Sequence, residues 1–131
     1  MDHRIIDLHV HSTESDGTLT PEDLVAEAKK AGLAAFALTD HDTCQGVCKA
    51  MPLAASAGIE LIPGIELSTD YHGKEVHIVG LYIDIENEQL LKKTAEYRKC
   101  RSERNALMVE ALQKEGLSIT MEELVAENPD C

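Results

Sequence analysis

The chain has no tryptophan and one phenylalanine, and aromatics make up 3% of its 131 residues. A core must therefore come mostly from aliphatic side chains. Basic residues are also scarce: 12 Lys and Arg stand against 24 Asp and Glu, a net charge of −12. A broad basic face for duplex nucleic acid is excluded; ordinary solubility explains most of the acidity. No apolar run approaches the roughly 20 residues that span a bilayer. Met1-Asp2-His3-Arg4 leads straight into a strand, without the charged and then apolar stretches of a secretory signal. The four cysteines, Cys44, Cys48, Cys100 and Cys131, form no Cys-x-x-Cys pair. They read as free thiols in a reducing, cytoplasmic compartment. No Gly-rich phosphate loop and no Ser-His-Asp order occurs.

What is present is a set of metal-binding side chains at the ends of short apolar runs. His9 and His11 close the run that begins at Arg4, Asp16 follows in Ser-Asp-Gly17, and His41 closes the run from Ala34. Glu66 closes Leu61-Ile-Pro-Gly-Ile, and His77 lies between Val76 and Ile78. Imidazole with carboxylate suits Zn, Mn or Fe better than Ca or a thiolate site.

The runs Arg4–Val10, Ala34–Thr39, Glu60–Leu67 and Glu75–Tyr82 predict strands, the first two buried, with a turn over 69–74. Thr20-Pro-Glu-Asp23 starts a helix that Gly32 ends. A second helix covers Gln45–Ala57, ended by Gly58 and kinked or restarted at Pro52. This alternation predicts a parallel α/β sheet, with chemistry at the C-terminal strand ends. Asp42 is a candidate cap for the second helix. From Glu86 to Glu115 one long helix or two are expected, with Leu90, Leu91, Ala95, Leu107, Met108, Ala111 and Leu112 as its apolar stripe. Thr120-Met-Glu-Glu123 starts a last helix that Asn128-Pro129 ends. His3 and His72 fit no motif and read as surface residues.

Asp7-Leu-His9-Val-His11-Ser12, Ser15-Asp16-Gly17, Thr39-Asp40-His41-Asp42, Gly64-Ile-Glu66-Leu-Ser68 and His77-Ile-Val-Gly80 resemble the polymerase and histidinol phosphatase (PHP) superfamily. The closest likeness is to its stand-alone phosphoesterases, and it covers about the whole chain. The resemblance implies the N-terminal part of a distorted (β/α)7 TIM-like barrel over 1–84 and the start of a helical insertion over 85–131. It implies two or three divalent ions (Mn, Zn or Fe) held by His9, His11, Asp16, His41, Glu66 and His77, with Glu66 bridging. Asp7 and Asp40 would orient those ligands instead of binding metal. The family's later His-Pro and Asp-x-His motifs do not occur, so the chain is expected to be an N-terminal fragment, and its activity alone stays an open alternative.

The implied activity is hydrolysis of phosphate esters of nucleotides or short RNA by metal-activated water, as in a nucleoside bisphosphate phosphatase or a 5′-3′ exoribonuclease. A histidinol-phosphate phosphatase is the alternative within the superfamily, and an inactive metal-binding module the alternative outside catalysis. Arg98, Arg101 and Arg104 recur every three residues in an otherwise acidic chain. They are candidates to hold a substrate phosphate, against a solvated helix face. The expected partner is a phosphorylated small molecule or an RNA 5′ end, with no duplex and no membrane.

Overall fold

The computed structural model describes residues 5–127. His3, Arg4, Asn128-Pro129 and Cys131 lie outside them. The elements are β1 (Ile5–Val10), α1 (Pro21–Lys30), β2 (Leu33–Leu38), α2 (Gln45–Ala57), β3 (Glu60–Tyr71), β4 (Lys74–Leu81), α3 (Glu88–Lys114) and α4 (Met121–Glu127). The four strands form one sheet in chain order, a curled half-barrel consistent with part of a TIM-like barrel.

β1, β2 and β3 pair in parallel, joined by α1 and α2. β4 departs from the parallel expectation and pairs antiparallel with β3. Only His72 and Gly73 separate the two strands, too short a link for a parallel crossover. Both have positive φ, 54° and 75°, the backbone of a tight hairpin turn. β3 therefore runs on to Tyr71, past the end expected at Leu67.

The core lies between β2 and the two helices. Phe36 and Leu38 on β2 pack with Val25 and Ala28 of α1 and with Val47, Ala50 and Ala54 of α2. Burying side chains such as Phe36 and Leu38 is worth about 1.5–3 kcal/mol each. The opposite face of β2 buries Ala35 and Ala37 against Ile62. Two buried faces explain why β2 reads as the continuous apolar run Leu-Ala-Ala-Phe-Ala-Leu. β1 reads as equally apolar, yet Ile5 and Ile6 are more than half exposed. The difference is position, because β1 is an edge strand of this sheet.

Helix ends follow the expected chemistry. The Thr20 hydroxyl accepts from the Asp23 N–H at 3.1 Å, and Pro21 occupies the first turn of α1. Gly58 ends α2 with φ 75°. α2 continues through Pro52 instead of restarting there. α3 is a single helix, capped by Asn87 accepting from the Leu90 N–H at 3.0 Å. Its expected apolar stripe is largely exposed at Leu91, Leu107 and Met108, and only Thr94 and Val109 are buried. α3 also meets the sheet through polar contacts of its arginines, Arg101 with Ser68 and Arg104 with Glu75. Thr120 and Glu123 cap α4 reciprocally. Among the described residues, no helix is long and apolar enough to cross a membrane.

Candidate metal centre

The six candidate ligands converge beyond the C-terminal end of β2. The backbone continues its pairing past the strand: Glu66 N–H donates to Asp40 O at 3.2 Å, and Asp42 N–H donates to Glu66 O at 3.0 Å. This makes a parallel bridge between His41 and Glu66. In the β3–β4 hairpin Glu66 faces Val79 and Ser68 faces His77. Glu66 and His77 are thus diagonal neighbours on one face.

Glu66, 6% exposed, is the hub. Its Oε2 lies 2.9 Å from His9 Nε2, 3.0 Å from His11 Nε2 and 3.7 Å from His41 Nε2. Its Oε1 lies 3.1 Å from His77 Nδ1. Asp16 approaches from the loop, with Oδ1 3.3 Å from His11 Nδ1 and Oδ2 3.5 Å from His41 Nε2. The four rings form a row, with successive centroids 5.0, 4.7 and 4.9 Å apart.

Three triads can each offer donors to one ion: His9, His11, Glu66; His11, Asp16, His41; and His41, Glu66, His77. Donor atoms about 2.0–2.2 Å from a shared ion lie roughly 3.0–3.5 Å from one another. The observed separations sit around that range. Three imidazole nitrogens around one carboxylate oxygen exceed what protons alone pair well, since charging neighbouring rings makes them repel. A donor set of four imidazoles and two carboxylates therefore fits divalent Zn, Mn or Fe.

The electrostatics agree for Glu66 and His41, whereas the hydrogen bond with Glu75 raises His77 above its ordinary value. Burial pushes Glu66 toward a higher pKa, but the hydrogen bond with His9 and the positive potential of His41, His9 and His11 outweigh it and hold the carboxyl below its usual range. Burial holds His41 below its ordinary value, against the pull of Asp16 and Glu66. A neutral imidazole and an ionised carboxylate are the forms that bind metal. Cys44 is buried, and burial pushes its thiol up, so it is no ready nucleophile beside the cluster.

The two candidate orienting residues behave differently. Asp40 is 1% exposed. It accepts from the Ser12 N–H at 2.6 Å, the Ser12 hydroxyl at 2.7 Å and the Ser15 hydroxyl at 2.7 Å. It therefore pins the loop that carries Asp16. Gly46 lets the start of α2 close over this knot; a Cβ there would collide with Asp40 Oδ2. Gly17 folds the same loop back on β1, where a Cβ would strike the carbonyl of His11. Asp7 touches no imidazole among the described residues; its carboxylate accepts from the His9 N–H at 3.2 Å.

Asp42 does not cap α2, whose N-cap Cys44 has no side-chain cap bond. With φ 54° it turns back to β3 and accepts from the Ser68 N–H at 3.0 Å. It also gathers α3. Arg98 Nη1 donates to Asp42 O at 2.6 Å, and Arg101 Nη2 lies 3.6 Å from Asp42 Oδ2 and donates to Ser68 Oγ at 2.6 Å. Arg104 Nη1 lies 3.4 Å from Glu75 Oε1. The three arginines thus stand beside the cluster, each already engaged with the protein. Arg101 and Arg104 line a cleft of about 370 Å³ with Ser68, Glu75, Tyr97 and Cys100.

Ser12, Ser15, Ser68 and Glu75 were not singled out from the sequence. Glu75 carries the clearest signal, an acid two positions before His77 on one strand, hence on the same face.

The sequence pattern of the PHP domain matches residues 7–124. The chain is 40% identical over 111 residues to a 5′-3′ exoribonuclease of Haemophilus influenzae, covering 85% of this chain and 40% of that protein. It is 40% identical over 113 residues to a 3′,5′-nucleoside bisphosphate phosphatase of Chromobacterium violaceum, covering 86% and 40%. A crystal structure from Bifidobacterium adolescentis, assigned as a metal-dependent phosphoesterase, superposes with a TM-score of 0.85 at 34% identity, over 94% of this chain and 43% of that one. The chain spans about 40% of the length of the curated relatives it matches. On the span and specificity of these matches, the chain belongs to the PHP domain family.

Proposed function

We propose that this chain carries the metal-binding part of a phosphoric ester hydrolase acting on nucleotides or short RNA 5′ ends. The observation that carries the reading is the convergence of His9, His11, His41 and His77 on the two oxygens of Glu66. The similarity to both an exoribonuclease and a nucleoside bisphosphate phosphatase supports the substrate class.

In this reading His9, His11, Asp16, His41, Glu66 and His77 hold two or three divalent ions (Mn, Zn or Fe), and Glu66 serves two neighbouring ligand sets. Such ions supply charge that binds phosphate oxygens and bring the pKa of a water toward about 7. Asp40, through Ser12 and Ser15, keeps the Asp16 loop against the cluster. Arg101, at the cleft beside Ser68, orients a second phosphate or the next nucleotide unit; Arg98 and Arg104 flank it. In the same reading, 1–84 is the metal-binding barrel portion and 85–131 belongs to a helical insertion. The free thiols Cys44, Cys48 and Cys100 support a cytoplasmic setting.

The test is release of inorganic phosphate or of mononucleotides by the 131-residue chain and by the full product of its gene. The substrates are a 3′,5′-nucleoside bisphosphate, a 5′-phosphorylated oligoribonucleotide and histidinol phosphate, each with Mn and after chelation. Chelator-sensitive turnover of either nucleotide substrate supports the reading. Turnover of histidinol phosphate alone would replace it with that activity. Metal binding without turnover by either protein leaves a non-catalytic metal-binding module.

A further inference from the structure

His77 has a carboxylate on each side of its ring, and one of the two, Glu75, lies outside the candidate ligand set. Nδ1 lies 3.1 Å from Glu66 Oε1, and Nε2 lies 3.1 Å from Glu75 Oε1. A carboxylate only accepts, and a neutral imidazole has one N–H. A neutral ring, the form that binds metal, can therefore donate to one carboxylate only and presents a lone pair to the other. The two sides are not equivalent. Glu66 is buried among four imidazoles, whereas Glu75 lies on the exposed rim of β4. A cation shared by Glu66, His41 and His77 needs the lone pair on Nδ1, which puts the proton on Nε2.

We propose that Glu75 is the positioning residue for His77: it accepts the Nε2–H, fixes the tautomer and ring plane, and so aims Nδ1 at the space between Glu66 and His41. Strand geometry makes this possible, because residues 75 and 77 project from the same face. Arg104, 3.4 Å from the same Glu75 oxygen, adds a second, charged contact that steadies the carboxylate. Arg104 is then part of the ligand support instead of a direct phosphate contact, which separates its role from that of Arg101. The inference rests on the metal-site reading above.

The probe is zinc binding to the 131-residue chain, measured by competition with a chromophoric chelator. Glu75→Ala should weaken zinc binding ten- to a hundredfold, the range typical of partners that orient a ligating histidine. Glu75→Gln keeps an oxygen that accepts from Nε2–H and should stay within about threefold of the parent. Long-range proton–nitrogen correlation spectra of the zinc-loaded parent and Gln variant should show the His77 proton on Nε2. Far-UV spectra of the metal-free proteins should coincide, since the side chain lies at an exposed position. Parent-like zinc binding by Glu75→Ala, or equal weakening by Ala and Gln, would overturn the role of Glu75 while leaving the metal site standing. Failure of the parent to bind zinc would overturn both.

Discussion

His41 and Glu66 lie side by side because the backbone ties them there, through Glu66 N–H to Asp40 O and Asp42 N–H to Glu66 O. Their side chains are therefore placed by sheet pairing, whatever else occupies the cluster.

It follows that Glu66→Gln should spare the fold and damage the site. The amide is nearly isosteric but cannot accept through both ends. Divalent metal content should fall to a small fraction of the parent's, with an unchanged far-UV spectrum. Parent-like metal content by elemental analysis would remove Glu66 from its central place.

Asp40→Ala tests the knot behind the loop. It strips three donors of one buried acceptor and should cost on the order of 3 kcal/mol in urea unfolding. Asp40→Asn keeps an acceptor for Ser12 and Ser15 and should recover a large part of that loss. Equal stability of the Ala variant and the parent would contradict the knot.

Metal should stabilise the folded chain by mass action. At a hundredfold excess of free zinc over Kd, the gain is about 2.7 kcal/mol if the unfolded chain binds none. Thermal melts with and without chelator measure it, and superimposable melts would count against the site.

Leu38→Ala should cost about 2–5 kcal/mol, because this fully buried side chain fills the space between β2 and the helices. Leu107→Ala, at a position 66% exposed on α3, should stay within about 0.5 kcal/mol of the parent. A large loss at Leu107 would mean that α3 is packed, not merely tethered.

Arg101→Ala, in the full product of the gene, should raise KM for a two-phosphate or oligoribonucleotide substrate about tenfold to a hundredfold, as expected for a lost charged hydrogen bond. It should leave a one-phosphate substrate such as p-nitrophenyl phosphate nearly unchanged. Equal effects on both would reduce Arg101 to its contacts with Ser68 and Asp42.

Much of the cluster was legible because His9, His11, His41 and Glu66 close apolar runs, and strand ends are where such folds gather polar groups. The strands and helices were legible for the same reason, with Thr20, Gly32 and Gly58 marking helix limits. What the sequence hid depends on neighbours. The exposure of β1 is set by its lack of a further pairing strand in this sheet, not by Ile5 or Ile6. The direction of β4 turned on the two residues His72 and Gly73, whose positive φ a wider 69–74 turn obscured. Asp42 resembled a helix cap, yet its left-handed backbone delivers its carboxylate to Ser68 and Arg101. The arginine spacing on α3 was visible, but not that Asp42, Ser68 and Glu75 would answer it.

The uncovered edge at β1 also bears on how the chain behaves in bulk. An edge strand offers unpaired backbone groups flanked here by Ile5, Ile6 and Leu8, a template onto which another extended chain can add. At neutral pH a net charge of −12 keeps molecules apart. That repulsion fades as the pH approaches the isoelectric point near 4.8, and it is screened by salt. Acidic, concentrated or high-salt samples are where strand-to-strand aggregation of this chain is favoured.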